Sequence, residues 1–209
     1  MSLLLLCSLL QAVSSDTLTL PNLPDPGRGQ SIEPAGDRSP QIRLRTKQGT
    51  ALVWLQRAND TIVVTAVIPD STPYWGDDFV LSLDTGGDGA AAPQHDDFQF
   101  YFRRMLDSSV IFRGRNGHWE PPRGDPDWRL GTARDGGGWE VVSASAARGW
   151  RLRLRLDPAW LAGENGRLSR IALRIYDDAP AGWFSWPGVG PNLPATLVER
   201  APSLWVPVR

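Results

Sequence analysis

Several stretches of the chain alternate between apolar and polar residues with a period of two. In residues 78–84, Phe79, Leu81 and Leu83 share one face. In residues 97–103, Phe98, Phe100 and Phe102 point one way and Gln99, Tyr101 and Arg103 the other. In residues 150–157, Leu152, Leu154 and Leu156 alternate with arginines. Residues 51–57 and 61–68 are two β-rich runs around the polar turn Ala58-Asn59-Asp60, which predicts a hairpin. Residues 110–112, 139–145 and 170–176 bring the set to about eight strands. Only residues 157–163 predict a helical turn, with Asp157 as N-cap and Pro158 at the first helical position. Strands without intervening helices predict an all-β fold, an antiparallel β-sandwich of immunoglobulin or jelly-roll type.

The N-terminal region breaks this pattern. Leu3 to Val13 is an apolar run followed by Ser14, Ser15 and Asp16. It is too short to span a bilayer and reads as a secretory signal peptide over residues 1–15. The expected location is secreted or periplasmic, with no membrane span. Cys7, the single cysteine, lies inside that run, so a processed chain would hold no disulfide, thiolate metal site or cysteine nucleophile. Residues 16–40 are rich in Pro and Gly and predict an extended arm or linker. Residues 41–209 form the expected sandwich domain.

Composition narrows the function. The chain has 22 basic and 23 acidic residues, a net charge of −1, without the basic excess of a dedicated nucleic-acid binder. Lys47 is the only lysine, so the cations are almost all Arg, whose planar fork suits hydroxyls and carboxylates. The two histidines, His95 and His118, sit near no nucleophile elbow, and no motif marks a pair of glutamates. No phosphate loop, dinucleotide fingerprint or zinc spacing is present, so a non-catalytic role is expected.

Two residue sets carry candidate chemistry. Asp84, Asp88, Asp96 and Asp97 surround a Gly-rich connection, and calcium favours several oxygen ligands on such a loop. The spacing is not that of an EF-hand, and the same residues also suit a solvated hairpin loop. Among ten tryptophans, Trp54, Trp139, Trp150 and Trp160 lie on or beside strands or the helical turn, where core packing is expected. Trp75, in "STPYWGDD", and Trp183 and Trp186, in "APAGWFSWPG", lie in expected loops. Flat aromatic rings there can stack on the apolar faces of sugars or anchor the loops to the core.

The order of these segments resembles family 9 carbohydrate-binding modules and their DOMON-like relatives. The segments are "IVVTAVIPDSTPYWGDDFVLSLD", "DDFQFYFR", "GWRLRLRLDPAWL" and "RIALRIYDDAPAGWFSW", covering about residues 50 to 187. The resemblance implies a β-sandwich that binds an oligo- or polysaccharide between two tryptophans. The matching positions are Trp75 and Trp186, with Trp183 as substitute, Arg103 on sugar hydroxyls, and Asp78 beside them. It also implies structural calcium, with Asp84, Asp88 and Asp97 as ligands. The strand carries Val80 where the family often has Glu. A haem-binding DOMON-like electron-transfer domain is the alternative, with Met105 and a histidine or Lys47 as the only axial candidates. A glycoside-hydrolysing enzyme is the third reading.

Overall fold

The computed structural model describes residues 17–24, 32–34, 38–59, 61–72, 77–121, 139–156, 170–178, 181–188 and 195–209. The expected signal peptide with Cys7, Trp75, and the helical turn at 157–163 with Trp160 lie outside these residues. The strands are β1 (Ile42–Arg45), β2 (Thr50–Ala58), β3 (Thr61–Pro69), β4 (Asp78–Asp84), β5 (Asp97–Arg103), β6 (Ser108–Arg115), β7 (His118–Glu120), β8 (Trp139–Ala146), β9 (Gly149–Leu156), β10 (Arg170–Asp178), β11 (Ala181–Trp186) and β12 (Val206–Pro207). A short helix, α1 (Ala195–Arg200), and a 3₁₀ turn at Pro202–Leu204 precede β12.

The strands form two antiparallel sheets, in agreement with the expected all-β sandwich. The five-stranded sheet runs β1-β2-β3-β9-β8. The seven-stranded sheet runs β11-β10-β4-β5-β6-β7, with β12 paired to β10. The β2–β3 hairpin turns where the polar residues predict it. Asn59 adopts φ 54°, a left-handed conformation that asparagine tolerates better than most residues. β4 and β5 start and end where their alternation does.

The alternating apolar residues face one another between the sheets. Phe79, Leu81, Leu83, Phe98, Phe100 and Phe102 from the larger sheet meet Val53, Leu55, Val64, Leu152, Leu154 and Leu156 from the smaller, all buried in one cluster. Each side chain fully buried this way is worth about 1.5–3 kcal/mol.

Both sheets are also covered on their outward sides, which strand periodicity does not predict. The described parts of the N-terminal arm, residues 17–24, 32–34 and 38–40, are tied into the fold. Leu18 N and Leu20 N donate to Pro207 O and Arg209 O at 2.8 and 3.1 Å, and Leu20 enters the core. Leu23 N donates to Arg57 O at 2.8 Å, Trp54 Nε1 to Arg38 O at 2.8 Å, and Glu33 pairs with Arg151. On the larger sheet the C-terminal segment forms a second apolar cluster of Ala172, Val198 and Trp205, with Trp119 and Leu204 beside it. Trp119 and Trp205 stack at 6.3 Å and 4°. Trp205 Nε1 donates to Val198 O at 2.6 Å, and Trp119 Nε1 to Glu199 O at 3.1 Å.

One end of the sandwich is closed by a buried charge group. Arg104 Nη1 donates to Asp70 Oδ2 and to Asp77 Oδ2, both at 2.8 Å, and the guanidinium lies 5.4 Å from the Trp150 ring centre. Gln48 Nε2 bonds Asp177 Oδ1 at 2.8 Å and Asp70 Oδ1 at 3.3 Å. Burial first, and then the hydrogen bond and charge of Asp70, push the Asp77 carboxyl from 3.8 up to about 7, against the pull of Arg104. A carboxyl with a raised folded-state pKa holds a proton that the unfolded chain releases. Its stabilisation is complete below the unfolded value and is lost as pH rises through the folded one.

Two outcomes follow for stability. Asp77→Asn keeps the neutral shape, so it should raise the urea midpoint at about pH 8 and change it little at about pH 4. An equal fall at both pH values would contradict the protonated carboxyl. Trp205→Ala should cost about 3–5 kcal/mol in denaturant unfolding, because the ring is buried and its cavity cannot collapse. A cost below about 1 kcal/mol would show that the C-terminal cover adds little to the fold.

Candidate functional site

The outward face of the larger sheet is built in rows, because residues opposite one another in register project to the same side. At the end nearest Arg104, one row runs Trp183 (β11), Tyr176 (β10), Asp78 (β4), Arg103 (β5) and Ser108 (β6). The next row inward runs Ser185, Arg174, Val80, Tyr101 and Val110 on the same five strands. Trp183 lies close to both rows. Its ring centre is 5.2 Å from that of Tyr176 and 6.2 Å from that of Tyr101, at 61° and 70°. The Arg174 guanidinium lies 4.5 Å from the same indole. The result is an aromatic pad of three half-buried rings, Trp183, Tyr176 and Tyr101.

Polar groups of both kinds border this pad. The Tyr101 hydroxyl donates to Asp78 Oδ2. Burial raises the pKa of Asp78, opposed by the Tyr101 hydrogen bond and by Arg103. Burial also raises that of Tyr101, with Asp78 adding to the shift. Arg103 is exposed, with its guanidinium 5.2 Å from the Tyr101 ring centre. Arg174 is buried and donates from Nη1 to Glu199 Oε2 at 2.8 Å. Burial lowers its pKa, and Glu199 opposes the shift. Val80 lies fully buried opposite Arg174, so the acid paired with this guanidinium comes from α1 rather than from β4.

The sequence-predicted site residues separate on this framework. Arg103, Asp78 and Trp183 come together. Trp75 lies outside the described residues. Trp183 and Trp186 are on strand β11, not in a loop: "GWFSW" pairs along β10 despite its flanking Gly and Pro. A spacing of three puts the two rings on opposite faces. Trp186 lies opposite Leu173 and packs against the core, while Trp183 faces outward. Tyr101, Tyr176 and Arg174 were not singled out, although the alternation of β5 and β10 would place them on this face.

At the opposite end of the same face lie the acidic residues. Asp84, Asp88 and Asp96 bring carboxylate oxygens within 4.8 Å of one another. Asp96, rather than Asp97, completes this trio. Asp97 sits opposite Asp84 across β4 and β5, fully buried. Its Oδ2 accepts from Gln94 N at 2.7 Å, and its Oδ1 has no hydrogen-bond partner among the described residues. Burial first, with Asp84, Asp96 and Asp88 adding, pushes its pKa up to about 8. Asp84 accepts from Gly87 N and Gly89 N at 2.5 and 3.1 Å, and Arg170 Nε lies 3.9 Å from it. His95 Nδ1 lies 3.7 Å from Asp96, and an acidic set with so few cationic neighbours among the described residues and an orphaned oxygen suits a hard divalent cation.

A separate cleft of about 600 Å³ opens above the Arg104 group and includes Asp70, Ser71, Thr72, Ser145 and Arg148 in its lining. Met105, Lys47, His95 and His118, the candidate haem ligands, are all exposed, so none of these side chains reaches the sandwich interior. No helix among the described residues is long and apolar enough to cross a membrane.

No protein-family model matches the sequence, and no curated protein matches it. Among solved structures, the chain is similar to a family 9 carbohydrate-binding module from Caldicellulosiruptor kristjanssonii in complex with glucose. The identity is 15%, the TM-score 0.56, and the match covers 93% of this chain and 95% of that one. It is also similar to a family 9 module from the same organism in complex with cellotriose, at 18% identity and a TM-score of 0.48, covering 81% of this chain and 79% of that one. The chain therefore has the fold of a family 9 carbohydrate-binding module.

Proposed function

We propose that the protein is a secreted, non-catalytic carbohydrate-binding module that stacks a sugar on Trp183. The observation that carries this is the aromatic pad. Three rings, an exposed guanidinium and a carboxylate share one end of the outward sheet face, on a fold whose solved neighbour holds glucose. An apolar sugar face would lie on the indole, and the Arg103 and Asp78 side chains would meet its hydroxyls. Trp75, just before Asp77 in the sequence, is the proposed opposing ring. Trp186 is left to the core.

A glycan-array screen of the purified protein, followed by calorimetry on the best oligosaccharide, tests the reading. Trp183→Ala should weaken binding by about 2 kcal/mol, roughly thirtyfold, with the melting temperature little changed. Trp186→Ala should instead lower thermal stability, through loss of core packing. Undiminished binding by Trp183→Ala would refute the pad as the site.

We further propose that calcium is held at the acidic end by Asp84, Asp88 and Asp96, with Asp97 behind them. The ion would supply positive charge to buried carboxylates and so stabilise the native loop. A ligand that binds only the native state at about a hundred times its dissociation constant adds about 2.7 kcal/mol. The melting temperature should accordingly rise by several degrees between chelator and millimolar calcium, roughly 2–4 °C per kcal/mol. Asp88→Asn should remove most of that rise. An identical melting temperature in both buffers would rule the site out.

A further inference from the structure

We propose that the sugar held on the pad carries a carboxylate, that is, a uronate residue, and that Arg103 is the side chain that reads this charge. The inference rests on the carbohydrate reading above and goes beyond it in substrate class. Arg103 is the last residue of β5, lies between Asp78 and Ser108 in the row, and is exposed. Its guanidinium lies 5.2 Å from the Tyr101 ring centre. A fork held against a ring is pre-organised, and it matches a carboxylate with two parallel donors.

Each surrounding acid already has a partner. Asp78, directly opposite Arg103, accepts the Tyr101 hydroxyl, and the Arg103 charge favours its ionised form without a direct ion pair. Asp70 and Asp77 are taken by Arg104, and Glu199 by Arg174. Arg103 itself makes no salt bridge among the described residues. Position 80, opposite both Arg174 and Tyr101 on this face, is a buried valine and adds no negative charge. A second guanidinium, that of the buried Arg174, lies beside Trp183, with its Nε without a hydrogen-bond partner among the described residues. A neutral sugar hydroxyl would accept from Arg103 with only the donor charged. A uronate would add an ionised acceptor and a two-point fit to the fork.

Trigalacturonate, its methyl ester and cellotriose provide the test, each titrated calorimetrically into the full chain at low and high salt. The acid should bind at least about tenfold more tightly than its ester, the size of one charge-assisted contact, and the advantage should shrink in high salt. In Arg103→Gln, shown to be folded by its melting curve, the acid-over-ester advantage should vanish. Equal binding of acid and ester by the wild type overturns the uronate inference and leaves the carbohydrate reading standing. An advantage that survives in Arg103→Gln overturns the assignment to Arg103. Binding of none of the three overturns the carbohydrate reading and this inference with it.

Discussion

Strand β4 is hydrogen-bonded along its length to β10 on one side and β5 on the other, and that register decides what the outer face presents. It sets Asp78 between Tyr176 and Arg103, and Val80 between Arg174 and Tyr101. A slip of one residue would turn Phe79, Leu81 and Leu83 out of the core and bring the polar set in. Three such side chains at about 1.5–3 kcal/mol each make that slip prohibitive. The candidate site is thus positioned by residues that never touch it.

The C-terminal segment then defines where the site ends. Helix α1, the stacked pair Trp119 and Trp205 and the Arg174–Glu199 ion pair cover part of the face. The pad of Trp183, Tyr176 and Tyr101 lies at one end of it, and the acidic cluster at the other. Arg174 joins the two roles, since it pairs with the cover through Glu199 and lies against the Trp183 ring. The same face therefore offers two chemically distinct environments, one aromatic and cationic, the other rich in carboxylates.

How much was legible in the sequence depended on whether alternation was clean. The Phe98, Phe100, Phe102 and the Leu152, Leu154, Leu156 series announced both their strands and their buried faces. The β2–β3 hairpin was equally plain. β11 was not, because Gly and Pro flank a segment of only six residues and imitate a loop. Period-two arithmetic on "WFSW" would still have put Trp183 and Trp186 on opposite sides. Arg103, Asp78 and the acidic loop could be picked out by residue type. The partnership of Arg174 with Glu199 could not, because the two lie on separate elements brought together only by the folded C-terminal segment. The arm at residues 17–24 reads as extended from its prolines, but its ladder with residues 207–209 depends on the two chain ends meeting in space.

The central claim is that ligand binds across the Trp183 end of the larger sheet. It is tested most directly by amide and indole chemical-shift mapping on titration with trigalacturonate. The account predicts perturbations at the Trp183 indole and at the backbone of Tyr176, Asp78, Tyr101 and Arg103, with the Trp205 and Trp150 indoles unmoved. Perturbations centred instead on Ser71, Ser145 and Arg148, around the separate cleft, would contradict it.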